Sequence, residues 1–323
     1  MAGTRTSLSP SPGERGLASH QPIDIAALLE PAWAWVERTA EQIDLDAPTR
    51  LPGWQARQVL VHLGSWDDGD DGEPGDRVAM RVEEARTGSV RQAEDPDARN
   101  ARLVASHHDA SRDEVIAALR RARQDTSRFL LGDDVAATGA RPVSSVVGEL
   151  PLTGLFVARA YELAVHALDL RPAGAPDPDD AVLVAGLAAL TDVTGALVAR
   201  AGTTATFAVV TPVAGWVVGA HGGDWTTSRL ERGRSARTLG WPGIEGSAED
   251  VLDASAGRAP AAQLLLTRRL RAYGVPGLLQ LLPAIEGAPG LPGGASVRAA
   301  ARVLAGAGRA VDLVTSRVPL RWP

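Results

Sequence analysis

A multidomain chain, with a four-helix bundle followed by a smaller α+β domain, is the fold class this sequence predicts, on three observations. Apolar residues recur at helical spacing in long segments between residues 23 and 170. Pro172, Pro176 and Pro178 then punctuate Arg171 to Asp180, the composition of a linker between two units. β-Branched runs bounded by Gly and Pro, the mark of strands, follow that linker.

The first helix is expected over Ile23 to Ile43, where Ile25, Leu28, Leu29, Trp33 and Val36 share a stripe and Pro31 is a kink point. After the Pro52-Gly53 turn, Trp54 to Trp66 places Val59, His62, Leu63 and Trp66 on one face of a second helix, with a histidine on its buried side. Asp67 to His108 is acidic and broken by Gly and Pro. It reads as a long mobile connection with a helical stretch only at Arg77 to Arg86. A third long helix spans Asp113 to Leu131, with Asp113 and Glu114 in the first turn, where the helix dipole favours negative charge. A loop with Gly139 and Pro142 leads to the fourth, Pro151 to Leu170, whose inner stripe is Leu155, Arg159, Glu162, His166 and Asp169.

Past the linker, Ala181 to Arg200 reads as a helix, and Thr203 to Thr211 and Gly215 to Ala220 as strands. Asp224 to Leu230 is expected to pair with the second strand across His221-Gly222-Gly223. Ser247 to Ala256, Gln263 to Leu270 and Leu278 to Ile285 read as short helical stretches, and Ser296 to Val314 as a C-terminal helix. The expected organisation is a disordered tail over 1–22, a helical bundle over 23–172, an α+β domain over 173–290, and a C-terminal helix or tail over 291–323.

Composition excludes several chemistries. The chain has no cysteine, and all 33 of its Lys+Arg residues are arginine. A cysteine nucleophile, a Schiff-base lysine, a phosphate-loop lysine and a disulfide framework are therefore ruled out. Abundant Ala, Arg, Gly and Pro without Lys is the usage of a GC-rich genome such as an actinobacterium's. A net charge of −6 gives no reason to expect a nucleic-acid partner. No apolar run looks long enough for the roughly 20 residues of a bilayer-spanning helix. The first 22 residues lack an apolar signal core. The expectation is a cytoplasmic monomer without a membrane partner.

The most specific local signal is Glu162 and His166, four residues apart on one face of the fourth helix and able to hold one metal ion together. They supply two of the three ligands that a catalytic zinc takes from protein. Bundle cores build such sites from facing helices. His62, the other bundle histidine on an apolar stripe of a long helix, is the third candidate. Two histidines and a carboxylate also suit ferrous iron. Arg159 is a candidate to bind a substrate carboxylate or neutralise Glu162, and equally a helix-surface arginine. Asp169 is a candidate to orient His166, and equally a cap or linker residue.

Leu51-Pro-Gly-Trp54 running into Val61-His62-Leu63, followed by Arg159-x-x-Glu162-x-x-x-His166-Ala167-x-Asp169, resembles the mycothiol-dependent maleylpyruvate isomerase family. The resemblance extends in architecture from Ile23 to Gly290, with a weaker motif at Gly243-Ile-Glu-Gly-Ser-Ala248. It implies a DinB-like four-helix bundle, a C-terminal domain similar to sterol carrier protein 2, and zinc held by His62, Glu162 and His166. It also implies mycothiol as thiol cosubstrate and a small unsaturated or electrophilic substrate. In such a reaction a thiolate adds to an activated double bond, the new single bond rotates, and elimination gives the other isomer. Stopping after addition would make an S-transferase. Activation of water at the same site would make a hydrolase or lyase, and a member without catalysis would be a binding module. The acidic Asp67-Asp-Gly-Asp-Asp-Gly72 insertion and the tail beyond Gly290 fall outside the resemblance.

Overall fold

The computed structural model describes residues 8–66, 77–88, 95–231 and 233–286, together with Arg298. The chain is mostly helical, with a smaller sheet-containing region after residue 200. Helix α1 (Pro22–Gln42) starts with proline in its first turn, where the missing N–H has no helical partner to lose, and continues through Pro31. Its buried stripe is Ile25, Leu29, Ala32, Trp33, Val36 and Ala40. Helix α2 (Ala56–Leu63) opens with a reciprocal cap between Gln55 and Gln58. Helices α3 (Arg77–Thr87) and α4 (Pro96–Ser106) follow. The second corrects the reading of Asp67 to His108 as a connection with one helical stretch. Asp95 caps α4 by accepting from the Asp97 N–H, and Pro96 occupies the first position.

Helix α5 (Arg112–Leu131) is started by a capping box between Ser111 and Glu114. A short α6 (Asp134–Thr138) and a two-strand pair, β1 (Pro142–Val143) with β2 (Leu150–Pro151), lead into α7 (Leu152–Asp169). Helix α8 (Asp180–Arg200) then packs along α7 and also against α1. A side chain at Gly186 would place its Cβ 2.4 Å from the Ala164 Cβ, so the approach of α8 to α7 needs glycine there.

Helix α8 is also the second correction. By length and composition it is apolar enough to cross a membrane, contrary to the expectation that no run approaches that length. In the fold 78% of its most apolar window is buried, as befits a helix that is hydrophobic on all sides and fills a core.

The remaining elements are β3 (Ala205–Val210), β4 (Gly215–His221), β5 (Asp224–Leu230), α9 (Ala236–Leu239), β6 (Gly243–Gly246), α10 (Ala248–Ser255), α11 (Ala261–Leu266), β7 (Leu270–Tyr273), α12 (Val275–Leu279) and α13 (Leu282–Glu286). The five-stranded sheet has the order β5-β4-β3-β6-β7. Neighbours are antiparallel except β3 and β6, which run parallel. The expected pairing of β4 with β5 is present, with His221 opposite Asp224. The helix expected over Gln263 to Leu270 instead ends at Leu266, and Leu270 begins β7. Arg268, at φ 60°, turns the chain between them.

One hydrophobic cluster runs from α1, α2, α5 and α7 into α8, α10 and α11. A second lies between α8 and the sheet, built on Leu197, Val198, Phe207, Val218 and Trp225. Both faces of α8 are thus used, and the Arg171 to Asp180 segment joins helices that share a core.

Residues 8–21 correct the expected disordered tail. A short 3-10 turn, Gly16–Ser19, buries Leu17, whose N–H donates to Asp192 on α8 at 2.9 Å. Arg15 bridges to Trp225 and pairs with Asp224. Residues 1–7, the acidic insertion at 67–72, and the expected helix over Ser296 to Val314, Arg298 apart, lie outside the described residues.

Candidate metal centre

The last turn of α2 carries His62 and the second half of α7 carries Glu162 and His166, so the two helices bring together residues 100 positions apart. His62 Nε2 and His166 Nε2 each lie 3.5 Å from Glu162 Oε2. One ligand atom from each residue falls within 4.8 Å of the other two. The imidazole rings meet edge to face, 5.2 Å between centroids, and Trp54 stands edge-on to His62 at 6.1 Å. Both histidines are buried, while the Glu162 side chain keeps 36% of its surface exposed, leaving a way in from solvent.

Electrostatics prepares these groups differently. Burial pulls the His62 pKa down to about 4, so its ring is neutral and carries a free lone pair. His62 Nδ1 is buried without a hydrogen-bond partner among the described residues. Burial works in the same sense on His166, but its bonds to Asp169 and Glu162 outweigh it and raise the pKa. Glu162 is pushed up by burial and pulled further down by His166 and His62, so it is held as carboxylate.

The residues fit a divalent ion. A tetrahedral zinc, with N and O ligands at about 2.0–2.2 Å, sets its ligand atoms roughly 3.3–3.5 Å apart. The carboxylate stands 3.5 Å from each imidazole nitrogen, long for a strong hydrogen bond. Two imidazoles and a carboxylate leave a position free for a further ligand, the donor pattern of catalytic zinc.

Asp169, fully buried at the end of α7, lies 3.0 Å from His166 Nδ1 through Oδ2. The sequence pointed to this residue but not to what holds it. Arg258, 89 positions away in the segment after α10, donates from Nε and Nη2 to the same carboxylate at 3.1 and 3.0 Å. The Arg50 N–H donates to the Asp169 carbonyl at 3.0 Å, and its guanidinium pairs with Asp253 at 2.8 Å. Burial raises the Tyr161 pKa, and its hydroxyl meets Ser255 of α10 at 3.1 Å. No local pattern marks Arg258, Arg50 or Tyr161, because their partners are distant in sequence.

Arg159 sits on the same α7 stripe, but its Nη2 donates to the carbonyls of Leu63 and His62, at 2.7 and 3.4 Å. It thereby satisfies the open carbonyl end of α2. Its guanidinium also lies 5.9 Å from the Trp33 ring centroid. Trp66 donates to the Val61 carbonyl and lies tilted against His107, 3.9 Å between ring centroids, and His221 meets Thr204 in the β4–β5 turn region.

Residues 26–171 match the family model described as the mycothiol maleylpyruvate isomerase N-terminal domain. Two solved structures, of the mycothiol-dependent maleylpyruvate isomerase and of a point mutant of it, are similar to this chain at TM-scores of 0.46 and 0.45. Each shares 16% identity, over 76% of this chain and 92% of the other. No curated protein matches the chain.

Proposed function

We propose that the chain is a metal-dependent enzyme that uses mycothiol to isomerise a small unsaturated acid, a reading supported by the match of residues 26–171 to the mycothiol maleylpyruvate isomerase N-terminal domain model. Transfer of the thiol to an electrophile is the same chemistry stopped one step earlier. The single observation that supports a metal is the convergence of His62, Glu162 and His166 within 4.8 Å. In this reading α1, α2, α5 and α7 are a DinB-like four-helix bundle, and the sheet region is similar to sterol carrier protein 2.

Zinc bound by this set would lower the pKa of an incoming thiol and hold it as thiolate. The chain itself has no cysteine, so the sulfur must come from a small molecule. His62 and His166 would each give a ring nitrogen to the ion, and Glu162 brings one negative charge that offsets part of the ion's. Asp169 keeps His166 Nδ1 as the protonated nitrogen and leaves Nε2 free to ligate. The exposed side of Glu162 is where thiol and substrate enter. The thiol sulfur adds to the activated double bond, giving a carbanion delocalised into the adjoining carbonyl. Rotation about the single bond and expulsion of the same thiolate then yield the other geometric isomer, with no net change in the thiol. Arg159 retains a proposed part in binding a substrate carboxylate.

The test is maleylpyruvate isomerisation by zinc-loaded protein with and without mycothiol. Conversion is expected only with thiol, with a pH profile following a thiol pKa below its free value of roughly 8.5. Equal conversion after rigorous removal of thiol would contradict the reading and point to activated water.

A further inference from the structure

We propose that Arg258 is a positioning residue of the metal centre: it holds Asp169, which holds the ring of His166, so the sheet-containing half of the chain sets how tightly the helical half binds its ion. The inference rests on the reading of His62, Glu162 and His166 as ligands.

The geometry is that of a three-member chain. Asp169 is fully buried, and a carboxylate there needs its lone pairs occupied and its charge balanced. Oδ2 accepts from His166 Nδ1 at 3.0 Å and from Arg258 Nη2 at 3.0 Å, while Oδ1 accepts from Arg258 Nε at 3.1 Å. This two-point grip fixes the plane of the carboxylate, which a single ammonium could not do. The carboxylate plane in turn fixes the imidazole, aiming its Nε2 at the shared space beside Glu162.

Arg258 is committed to this task. Its Nη1 donates to the Ala256 carbonyl at 3.2 Å, so every guanidinium nitrogen has a protein acceptor. Its backbone is tied down as well: the Arg258 N–H donates to the Asp253 carbonyl at 2.8 Å, just after Gly257 turns the chain at φ +72°. A second arginine near Asp169, Arg50, stands 4.0 Å from Oδ1 and gives its short contact to Asp253. Losing Arg258 therefore leaves a buried carboxylate with the imidazole as its one close side-chain partner among the contacts described. Such a carboxylate is free to rotate, and rotation releases the ring.

A second ion pair provides the control. Arg171 grips Glu249 on α10 at 2.8 and 2.7 Å, linking the same two halves without touching Asp169. The experiment is a zinc titration against a chromogenic chelator, on metal-stripped full-length protein. Arg258→Gln is expected to weaken zinc binding by about 10- to 100-fold, the usual cost of removing a partner behind a metal ligand. Asp169→Asn should weaken it similarly. The double variant should bind no worse than Asp169→Asn alone, because the two act through one contact. Arg171→Gln should leave the affinity within about twofold of wild type, outside the 10-fold lower edge expected for a true partner. Wild-type affinity in Arg258→Gln, equal loss in Arg171→Gln, or additive losses in the double variant would each overturn the proposal. Wild-type protein that takes up no zinc, or Glu162→Ala that takes it up as wild type does, would instead overturn the ligand reading beneath it.

Discussion

Two of the buried carboxylates, Asp169 and Asp192, are held in opposite ways. Asp169, at the end of α7, meets His166 and the Arg258 guanidinium; burial raises its pKa, but these partners outweigh burial and lower it. Asp192, on α8, offers one oxygen to three neutral donors: the Leu17 N–H at 2.9 Å, the Trp225 Nε1–H at 3.1 Å and the Thr227 hydroxyl at 2.6 Å. Burial dominates there, and its pKa is raised. The difference teaches that burial does not decide what a carboxylate is for. Charged partners keep Asp169 anionic beside a histidine that needs orientation. Neutral donors make Asp192 a knot that ties the N-terminal segment and β5 to α8.

The largest expected effect separates the two carboxylate environments by what each variant loses. Asp192→Ala strands three buried donors, each costing about 1–3 kcal/mol if left unpaired. Urea denaturation should show a loss of roughly 3–5 kcal/mol in total, since such costs do not add fully. Glu162→Ala should change the stability of metal-free protein by no more than about 1 kcal/mol, as expected for a partly exposed group, while abolishing zinc uptake. Loss of zinc binding in folded Asp192→Ala would break the comparison.

A pH series sharpens it. Because the folded pKa of Asp192 lies above its ordinary value of 3.8, the protonated acid suits the fold better than the anion. Its favourable contribution is fully present below about pH 3.8 and is lost as pH rises through the folded pKa. Asp192→Asn, which cannot ionise, should therefore gain stability relative to wild type as pH rises through that window. A difference that stays flat with pH would show that Asp192 titrates as an ordinary exposed carboxyl.

The smallest effect concerns Arg159. Arg159→Gln gives up the Leu63 carbonyl contact and the Trp33 ring, worth about 1–2 kcal/mol together. Zinc stoichiometry should be retained. A raised KM for a carboxylate substrate at unchanged kcat would establish that the guanidinium also serves the ligand.

Much of this was legible in the sequence because it is local. The stripes of α1, α5 and α7 follow a 3.6-residue period, and Gly222-Gly223 announces the β4–β5 turn. The candidate donors lie on the stripes of two such helices, so periodicity already selected His62, Glu162 and His166. Helix α4 was missed because Pro96 to Ser106 is charged and carries little apolar signal, although Asp95 and Pro96 are ordinary starting residues. The strands β6 and β7 are only four residues long, and the leucines of 264–266 masked the break at Arg268. The N-terminal segment looked disordered by composition, yet Gly16 packs there because a Cβ would lie 2.0 Å from Asp192 Oδ1. Arg258 was invisible because its meaning depends on a partner 89 positions away.

The central claim is that one ion binds where His62, Glu162 and His166 converge. Its most direct test is calorimetric titration of zinc into metal-stripped full-length protein, beside the variants His62→Ala, Glu162→Ala and His166→Ala. One tight equivalent is predicted for wild type, with no comparable uptake in any folded variant. A wild-type protein that binds no zinc, or a variant that still binds one equivalent with unchanged affinity, would contradict it.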